Sequence, residues 1–524
     1  MRRFHVLRCL SLAVCNVGLA ALFAGLAACG NSSAPTSTSA LAPADDLPET
    51  GLQGEVPLAD QLSGRAALGY RKGLRLVGQN NIMSRGANFD LAWLDDCAYV
   101  TTTSPQSLFG PGSTPYLDPQ YNPLNGMAVI DASDPTNPKL VSILQSPAML
   151  APHESLHANQ ARHIIVGVRA GGTIIDVYEA QDCRHPILRS SFNFAPSITL
   201  PSLPTIPGFG SSLNTGTAFV GHAMCMTDDG RTAYATSSAQ SNAVIDLDDL
   251  AHPKLIQLFA PAAHDCGTSP DGNRLYLAIF GFESLGLGIP NGPSVGQNGM
   301  MIVDSSAIQN RTAATAPLLL GLAPPMIGFV GWSNVADGEA PSAGSHTARW
   351  FRNHGRTYLY SSDEWPTAGV CPWSHSRIID ITDETHPVVV SNIQLEVDQL
   401  ANCLTTIPDN ANYSAHYVGI DNVNEATTLF TSNYSAGLRV WDIHDPTHPK
   451  EIAYWHPVPN PNTPTVPFSA EFGSSGSNWD AVPTYVRYRP ETGQIWIASY
   501  SAGFQILQFT QSAGPTAPRP TGVP

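Results

Sequence analysis

The chain has 524 residues, of which 43% are hydrophobic and only 13% are charged, and it contains 44 glycines and 44 prolines. Glycine and proline make up about a sixth of the chain, against roughly an eighth in average proteins, which argues against long helices, coiled coils and helical solenoids. The formal net charge is −16, and no basic run follows the N-terminus. This charge distribution argues against nucleic acid as a partner.

The first 28 residues have the pattern of a secretory signal peptide. Arginines near the start precede an apolar stretch from Cys9 to Ala28, which is the arrangement of an export signal. The stretch ends in the sequence LAACG, which resembles the lipobox of bacterial lipoproteins and implies lipid attachment to Cys29. Gly30, rather than an aspartate, follows this cysteine, which resembles the pattern of outer-membrane lipoproteins. We therefore expect an exported lipoprotein anchored to the outer membrane, with an ordinary cleavable signal or a membrane helix as the alternative.

The composition divides the chain into four segments. Residues after Cys29 are rich in Ser, Thr, Ala and Pro, which is typical of a flexible tether. We expect a signal peptide at 1–28, a tether at 29–70, one folded domain at 71–510 and a disordered Pro/Thr-rich tail at 511–524.

One sequence pattern recurs along the folded domain. It consists of a small residue, three or four β-formers, an aspartate, a turn that often contains Asp-Pro, and a second apolar strand, as in MAVIDASDPTNPKLVSIL at 127–144. The marker aspartates are Asp131, Asp176, Asp246, Asp304, Asp380 and Asp442, and Gln508 takes their place in the last copy. Their spacings of 45 to 76 residues are typical of propeller blades.

A second hairpin precedes most markers, as in MCMTDDGRTAYATS at 224–237. Two hairpins per repeat give four antiparallel strands, which is the structure of a propeller blade. The last copy stops at its third strand, and residues 74–78 offer the missing fourth strand. We therefore predict an all-β fold, a seven-bladed β-propeller of four-stranded antiparallel blades, with an N-terminal strand completing the last blade.

The repeated strands AVID, AVID and MIVD resemble those of the LVIVD-repeat family of bacterial surface propellers. The resemblance covers roughly residues 74–509. It implies the propeller fold and an exported protein, but no activity, because the family is known mainly as lipoproteins without a settled function. Long insertions and the missing seventh aspartate depart from the family pattern.

Histidines recur at the start of the predicted innermost strands, which line the channel and open onto the face that carries the long loops. His222, His264 and His346 each stand twelve residues before a tyrosine, and His157 and His416 fit with small offsets. Asn88 and Asp90 hold this place in blade one, and Asp480 in blade seven. We therefore expect five imidazoles around one axial mouth.

Three interpretations of this ring remain open. Each histidine could be a structural residue repeated with its blade. The five could instead hold a transition metal such as Cu, Zn or Fe, since neutral imidazole suits these ions, or line a metal-free site for a polar ligand. Neighbouring residues of the same face, namely His153, Glu154, Glu283, Asp363, Glu364 and His375, are interpreted as solvated loop residues. His185, His252, His386 and His448 are placed in surface turns of the opposite face.

Six cysteines remain after the signal peptide and Cys29, and an even number in an exported protein indicates disulfides. Topology places Cys97 with Cys183 on one face and Cys371 with Cys403 on the other. Cys225 and Cys266 lie on neighbouring innermost strands, where we prefer a disulfide over thiolate ligation of a metal.

The function expected from these features is binding of a small-molecule ligand or an envelope protein through the long-loop face. The alternatives are a histidine-ring metalloenzyme, possibly an oxidoreductase, and a structural scaffold in an envelope complex. The sequence lacks the G-x-S-x-G elbow, the Walker loop, the dinucleotide-binding glycines and the C-x-x-C-H haem motif, which argues against the corresponding activities.

Overall fold

The computed structural model describes residues 46–102, 124–194, 219, 221–237, 241–280, 297–312, 314–315, 323–332, 344–364, 371–463 and 480–510. The predicted signal peptide, lipidation site Cys29, residue Glu283 and the tail at 511–524 lie outside these ranges. In the described part of the chain, no helix has the length and apolar character needed to cross a membrane.

Seven antiparallel sheets follow one another along the chain and form seven blades, which confirms the predicted β-propeller. Blade one contains β3 (Asn88–Leu94), β4 (Cys97–Thr102), β5 (Met127–Asp131) and β6 (Lys139–Leu144), and blade two contains β7 (His157–Asn159), β8 (Ile164–Val168), β9 (Ile174–Glu179) and β10 (Ile187–Asn193). Blade three contains β11 (Gly221–Met226), β12 (Thr232–Ser237), β13 (Asn242–Asp246) and β14 (Lys254–Phe259), and blade four contains β15 (Cys266–Thr268), β16 (Arg274–Ile279), β17 (Asn298–Asp304) and β18 (Met326–Trp332).

Blades five and six each contain an additional strand, and blade seven includes a strand from the N-terminal part of the domain. Blade five contains β19 (Gly344–Ser345), β20 (Arg349–Asn353), β21 (Arg356–Glu364), β22 (Ser376–Asp380) and β23 (Val388–Ile393), with β19 and β20 both paired to β21. Blade six contains β24 (Val418–Ile420), β25 (Thr428–Ser432), β26 (Leu438–Asp442) and β27 (Lys450–His456), with β1 (Tyr70–Lys72) as an added outer strand. Blade seven contains β28 (Pro483–Arg489), β29 (Gln494–Ser499), β30 (Gly503–Phe509) and β2 (Leu74–Asn80).

Within the described ranges, helices are few and short. The α-helices are α1 (Leu58–Ser63), α2 (Ser306–Gln309) and α3 (Cys403–Thr406), and the single-turn 3₁₀ helices are Ala66–Leu68, Ile82–Ser84, Glu396–Asp398, Leu400–Asn402, Ile407–Asp409 and Tyr434–Ala436.

The repeated apolar strand is the third strand of each blade, and it is buried on both faces. In β5, Val129 packs with Ile165 of blade two, whereas Ala128 belongs to a core layer with Trp496 of blade seven. A strand between two packed sheets needs apolar residues on both sides, which explains why these strands do not alternate. Outer strands such as β10 alternate between exposed and half-buried residues because one face meets solvent.

The marker aspartate serves the turn that follows this strand. The carboxylate of Asp131 accepts a hydrogen bond from the backbone N–H two residues later, at 3.0 Å, and Asp246, Asp304, Asp380 and Asp442 make the same contact at 2.9–3.0 Å. Such a side chain bonded to its own backbone starts a turn. The aspartate is therefore a turn residue in these five blades. The predicted marker of blade two, Asp176, is instead buried within β9, where it accepts hydrogen bonds from the N–H of Ala148 at 2.7 Å and the hydroxyl of Ser191 at 2.6 Å, and Glu179 ends the strand.

Blade seven combines strands from distant parts of the chain. Its outermost strand β2 pairs antiparallel with β30, from Leu74 opposite Phe509 to Asn80 opposite Phe504. Arg75 on β2 donates a hydrogen bond to Gln508, the residue in the marker position, at 2.7 Å. The innermost strand β28 packs against β3 of blade one.

Residues 46–72 lie against blade six, so the predicted tether at 29–70 extends too far. β1 pairs with β27, with Tyr70 opposite His456. Glu49 accepts hydrogen bonds from Arg439 and, at 2.9 Å, from His456. Burial alone would raise the pKa of Glu49, but the attraction of Arg439 and the hydrogen bond from His456 lower it to about 2. The composition of this segment indicated a flexible tether, and nothing in its sequence indicated a buried ion pair.

The three predicted cysteine pairs are disulfides in the structure. Cys97 bonds to Cys183, Cys225 to Cys266 and Cys371 to Cys403. Disulfides persist in oxidising compartments, so they point to an exported protein.

We predict that Glu49→Gln lowers the free energy of unfolding at pH 7 by about 3 kcal/mol, because the buried guanidinium of Arg439 loses one of its two carboxylates. The folded-state pKa of Glu49 lies below its ordinary value, so its contribution is complete above about pH 5 and declines as pH falls towards 2. Urea unfolding at pH 7 and pH 3 measures the difference between variant and wild type. The control Glu425→Gln removes a carboxylate whose side chain is 41% exposed. A variant equal to the control would contradict the prediction.

Candidate metal centre

Strand register places four of the five predicted histidines together. Cys225 pairs with Tyr234, Gly267 with Tyr276 and Gly419 with Phe430. His222, His264 and His416 each lie three residues before the first member of these pairs. They therefore occupy the same position in blades three, four and six.

Backbone hydrogen bonds hold the histidines at the start of the innermost strands. The N–H of His264 donates to Ala278 at 2.9 Å, that of His346 to Ser362 at 2.7 Å and that of His416 to Ser432 at 2.8 Å. Each acceptor lies on or next to the second strand of the same blade. The imidazole rings follow one another closely around the axis, with centroids 4.2–4.5 Å apart from His222 to His416.

The carboxylate of Glu154 lies among these rings. Its Oε1 is 2.7 Å from Nε2 of His416 and 3.3 Å from Nε2 of His346. Its Oε2 is 3.1 Å from Nε2 of His222 and 3.8 Å from Nε2 of His264. One carboxylate thus faces four imidazole nitrogens.

A second carboxylate, that of Glu364, comes from the end of β21. Its Oε2 is 3.4 Å from Nε2 of His346 and 3.8 Å from Nε2 of His264, and its Oε1 is 3.8 Å from Nε2 of His416. The hydroxyl of Tyr434 donates a hydrogen bond to Oε1. With His153, whose Nε2 is 3.9 Å from Glu154 Oε2, these residues form what we call the axial cluster: His153, Glu154, His222, His264, His346, Glu364 and His416.

The axial cluster is almost closed to solvent. The side chains of His346 and His416 are fully buried, that of Glu154 is 1% exposed, and that of His222, the most exposed imidazole of the ring, is 12% exposed. In the described part of the chain, no arginine or lysine pairs with Glu154 or Glu364. Buried carboxylates need a compensating positive charge, and here only imidazoles are within reach.

Burial and charge act in opposite directions on these groups. Burial lowers the pKa of His264, and the neighbouring His222 and His346 lower it further. Burial would raise the pKa of Glu154, but the attraction of His346 and His153 and the hydrogen bond from His222 lower it well below its ordinary value. Burial would lower the pKa of His416, but its hydrogen bond to Glu154 raises it. The surrounding imidazoles therefore favour the ionised form of Glu154.

The orientation of His416 is fixed from outside the cluster. Its Nδ1 is 2.6 Å from the carbonyl oxygen of Thr484 in blade seven. A carbonyl only accepts, so Nδ1 carries the hydrogen and Nε2 is the atom that faces Glu154. A backbone acceptor behind an imidazole is the usual support of a metal-binding histidine.

Aromatic side chains form the wall of the axial cluster. Phe89 of blade one stacks on His153 with ring centroids 4.2 Å apart, and Phe280 stacks on His264 at 5.4 Å. Tyr434 and Tyr417 both lie 4.6 Å from His416. These rings exclude water and limit the space in which the polar atoms can move.

His157 does not join the cluster. It begins β7 and lines a separate axial cavity of about 240 Å³ with the disulfide of Cys225 and Cys266 and with Arg349. In blade two, His157 pairs with Val166 across a hairpin of the same length as the one in which Cys225 pairs with Tyr234 in blade three. His157 therefore matches Cys225, and the position three residues earlier, which holds a histidine in blades three, four and six, is Glu154 in blade two.

The other predicted mouth residues have structural contacts. Asn88 accepts a hydrogen bond from Arg85 at 2.8 Å. Asp90 accepts from the N–H groups of Leu91 and Leu156, and burial raises its pKa to about 7. Asp480 accepts from the N–H of Val482 at 3.0 Å. They stabilise the starts of the innermost strands and are not members of the axial cluster.

The interpretation of the neighbouring polar residues as solvated loop residues was wrong. His153, Glu154, Asp363, Glu364 and His375 are all buried. Asp363 accepts from Arg377 at 2.6 Å and from Trp332 at 2.8 Å. His153 and Glu154 lie on the connection between blades one and two, and Asp363 and Glu364 lie at the end of β21, and the polar groups of all four are buried with polar partners. The exposed histidines His185, His252, His386 and His448 each contact an aspartate of their own turn, as predicted for surface turns.

Residues 124–145 match the LVIVD repeat family, over the third and fourth strands of blade one. The chain carries an LVIVD repeat. No curated protein matches the sequence.

Solved structures resemble this chain at low similarity. They include a protein from Lactobacillus plantarum (12% identity, 70% of this chain and 86% of that chain, TM-score 0.44), the Kuenenia stuttgartiensis hydrazine synthase (11%, 80% and 95%, 0.45) and a periplasmic gluconolactonase from Pseudomonas aeruginosa (10%, 71% and 88%, 0.44). The LVIVD repeat and these likenesses concern the fold and carry no information about activity.

Proposed function

We propose that this protein is an exported metalloenzyme whose axial cluster binds a first-row transition metal. The observation that supports this most directly is the direction of the polar atoms. The Nε2 atoms of His222, His264, His346 and His416 and the oxygens of Glu154 and Glu364 all point into one buried space. Mixed imidazole and carboxylate ligands suit iron, zinc and copper.

The positions of the two carboxylates favour a role as metal ligands over a role in orienting the histidines that bind the metal. A carboxylate that only orients a metal-binding histidine contacts the ring nitrogen that faces away from the metal. Here Glu154 and Glu364 approach the Nε2 atoms, the side of the rings that faces the common space, while the carbonyl of Thr484 takes the outer nitrogen of His416. We therefore assign the carboxylates to the inner ligand set.

The residues around the axial cluster define the roles that this chain would perform. When bound, the metal would supply Lewis acidity or redox chemistry. Thr484 holds the proton on Nδ1 of His416, so Nε2 stays available as a ligand. Tyr434 keeps one oxygen of Glu364 in place and carries the only hydroxyl hydrogen-bonded to the cluster's carboxylates among the described residues. Phe89 and Phe280 exclude water from the flanks.

Access to the axial cluster would come from the long-loop face, beside His222. A small ligand there is favoured over a large partner, because the buried ring leaves no room for a protein side chain to enter without rearrangement. Most of the long loops lie outside the described ranges, so the sequence-based prediction of an envelope partner or a scaffold role gains no separate support.

We predict that the purified mature chain, after loading with Cu(II), Zn(II) or Fe(II) and removal of excess metal, retains at least one equivalent of metal measured by mass spectrometry. His222→Gln and His346→Gln should each weaken retention at least tenfold, because each removes a ligand atom. The matched control His448→Gln changes a histidine whose side chain is 77% exposed and should retain wild-type metal. Circular dichroism verifies that each variant folds.

A wild-type chain that retains less than a tenth of an equivalent with all three metals would contradict the proposal. Equal loss from His448→Gln would show that the binding is not at the axial cluster.

We also propose that the chain is an outer-membrane lipoprotein anchored through Cys29. The support is the resemblance of LAACG to a lipobox together with the disulfides of an exported protein. In a bacterial host, the N-terminal peptide of the mature protein should carry acyl chains on Cys29 by mass spectrometry, and Cys29→Ser should release the protein from the membrane fraction. An unmodified Cys29 in a membrane-bound wild type would contradict the anchor.

A further inference from the structure

We infer that the axial cluster holds two metal ions bridged by the carboxylate of Glu154, an inference that rests on the metal binding proposed above. The two ends of the cluster can each bind an ion without sharing a residue. One end is formed by His153 and His222, and the other by His346, Glu364 and His416.

The two oxygens of Glu154 divide between these ends. Oε1 is the atom near His416 and His346, at 2.7 and 3.3 Å. Oε2 is the atom near His222, His264 and His153, at 3.1, 3.8 and 3.9 Å. A carboxylate that turns one oxygen towards each of two ligand groups has the arrangement of a bridging ligand.

The two oxygens of Glu364 also face different imidazoles. Its Oε2 lies 3.8 Å from Nε2 of His264 and 3.4 Å from Nε2 of His346, so it faces the junction of the two ends. Its Oε1 faces His416 at 3.8 Å and accepts the hydrogen bond from Tyr434. Glu364 therefore belongs to the His346–His416 end and closes the junction beside Glu154.

The number of donors exceeds what one ion uses. Five imidazoles and two carboxylates belong to the cluster, whereas zinc takes about four ligands and a catalytic site keeps one position open. A single ion bound by the four ring imidazoles would leave His153 and at least one carboxylate without a partner in a space that solvent hardly reaches. Two ions about 3.5–4 Å apart, the usual spacing in two-metal sites, use all seven.

A pair of adjacent ions would limit the class of ligand that the site binds. Two adjacent ions can hold a small oxygen-containing ligand between them and stabilise charge on both of its ends. The least buried imidazole, His222, lies at one end of the pair, so a ligand would enter there. The substrate class that fits is a small oxygen-donor molecule.

The test counts ions and measures their coupling in the full mature chain reconstituted with Cu(II). We expect two Cu(II) per chain by mass spectrometry, with an electron paramagnetic resonance signal well below that of two isolated ions because Glu154 couples them. The double variant H153Q/H222Q should retain one ion and recover the full signal of a single Cu(II). The single variant H222Q serves the same purpose if the double variant does not fold, and H448Q should remain like wild type.

The outcomes separate this inference from the metal binding on which it rests. One Cu(II) per wild-type chain with a full single-ion signal would overturn the two-ion site and leave metal binding intact. A second ion that persists in H153Q/H222Q would place it outside the axial cluster and would also overturn the inference. A chain that retains no Cu(II), Zn(II) or Fe(II) would overturn both.

Discussion

A carboxylate buried on the axis of a propeller must be neutralised by positive charge, and in this protein that constraint shapes the centre of the fold. Glu154 is 1% exposed and is surrounded by imidazoles from several blades. Burial of an ionised carboxylate without a partner costs several kcal/mol, and burial also disfavours the protonation of His153 and His264. The cation proposed for this cluster would resolve both demands, since it would neutralise the carboxylate and let the imidazoles stay neutral.

The repeat explains how the fold can place so many similar groups together. Each blade supplies one residue at the start of its innermost strand, and the ring brings these residues to a common axis. The apolar third strands fill the layers between blades and the turn aspartates end those strands, so the framework needs no contribution from the axis. The axial positions are therefore available for function. Disulfides such as Cys225–Cys266, which joins the innermost strands of two histidine-bearing blades, hold that framework together.

The sequence predicts the parts of the structure that follow the repeat, and the predictions fail where the chain departs from the repeat. The blade count and three cysteine pairs follow from spacing, and a constant distance to a tyrosine identifies His222, His264 and His346. Glu154 escapes prediction because the residue twelve positions later is Val166 and not a tyrosine, although strand register gives Glu154 the position of the ring histidines. Glu364 escapes because β21 runs unusually far, to a residue that would otherwise begin a loop. His157 is misplaced because it matches Cys225, three residues after the position that holds the histidines of the ring. The predictions fail where the marker of the repeat is altered, by a missing tyrosine in blade two and by a longer second strand in blade five.

The proposed function requires a metal between Glu154 and the imidazoles, and anomalous X-ray diffraction from crystals of the metal-loaded protein tests this directly. Data collected on both sides of the absorption edge of the bound metal locate the ion independently of the protein atoms. We predict anomalous density about 2.1 Å from Nε2 of His416 and from Oε1 of Glu154. A structure in which Glu154 contacts His416 directly, with no anomalous density in the axial cluster, would contradict the account.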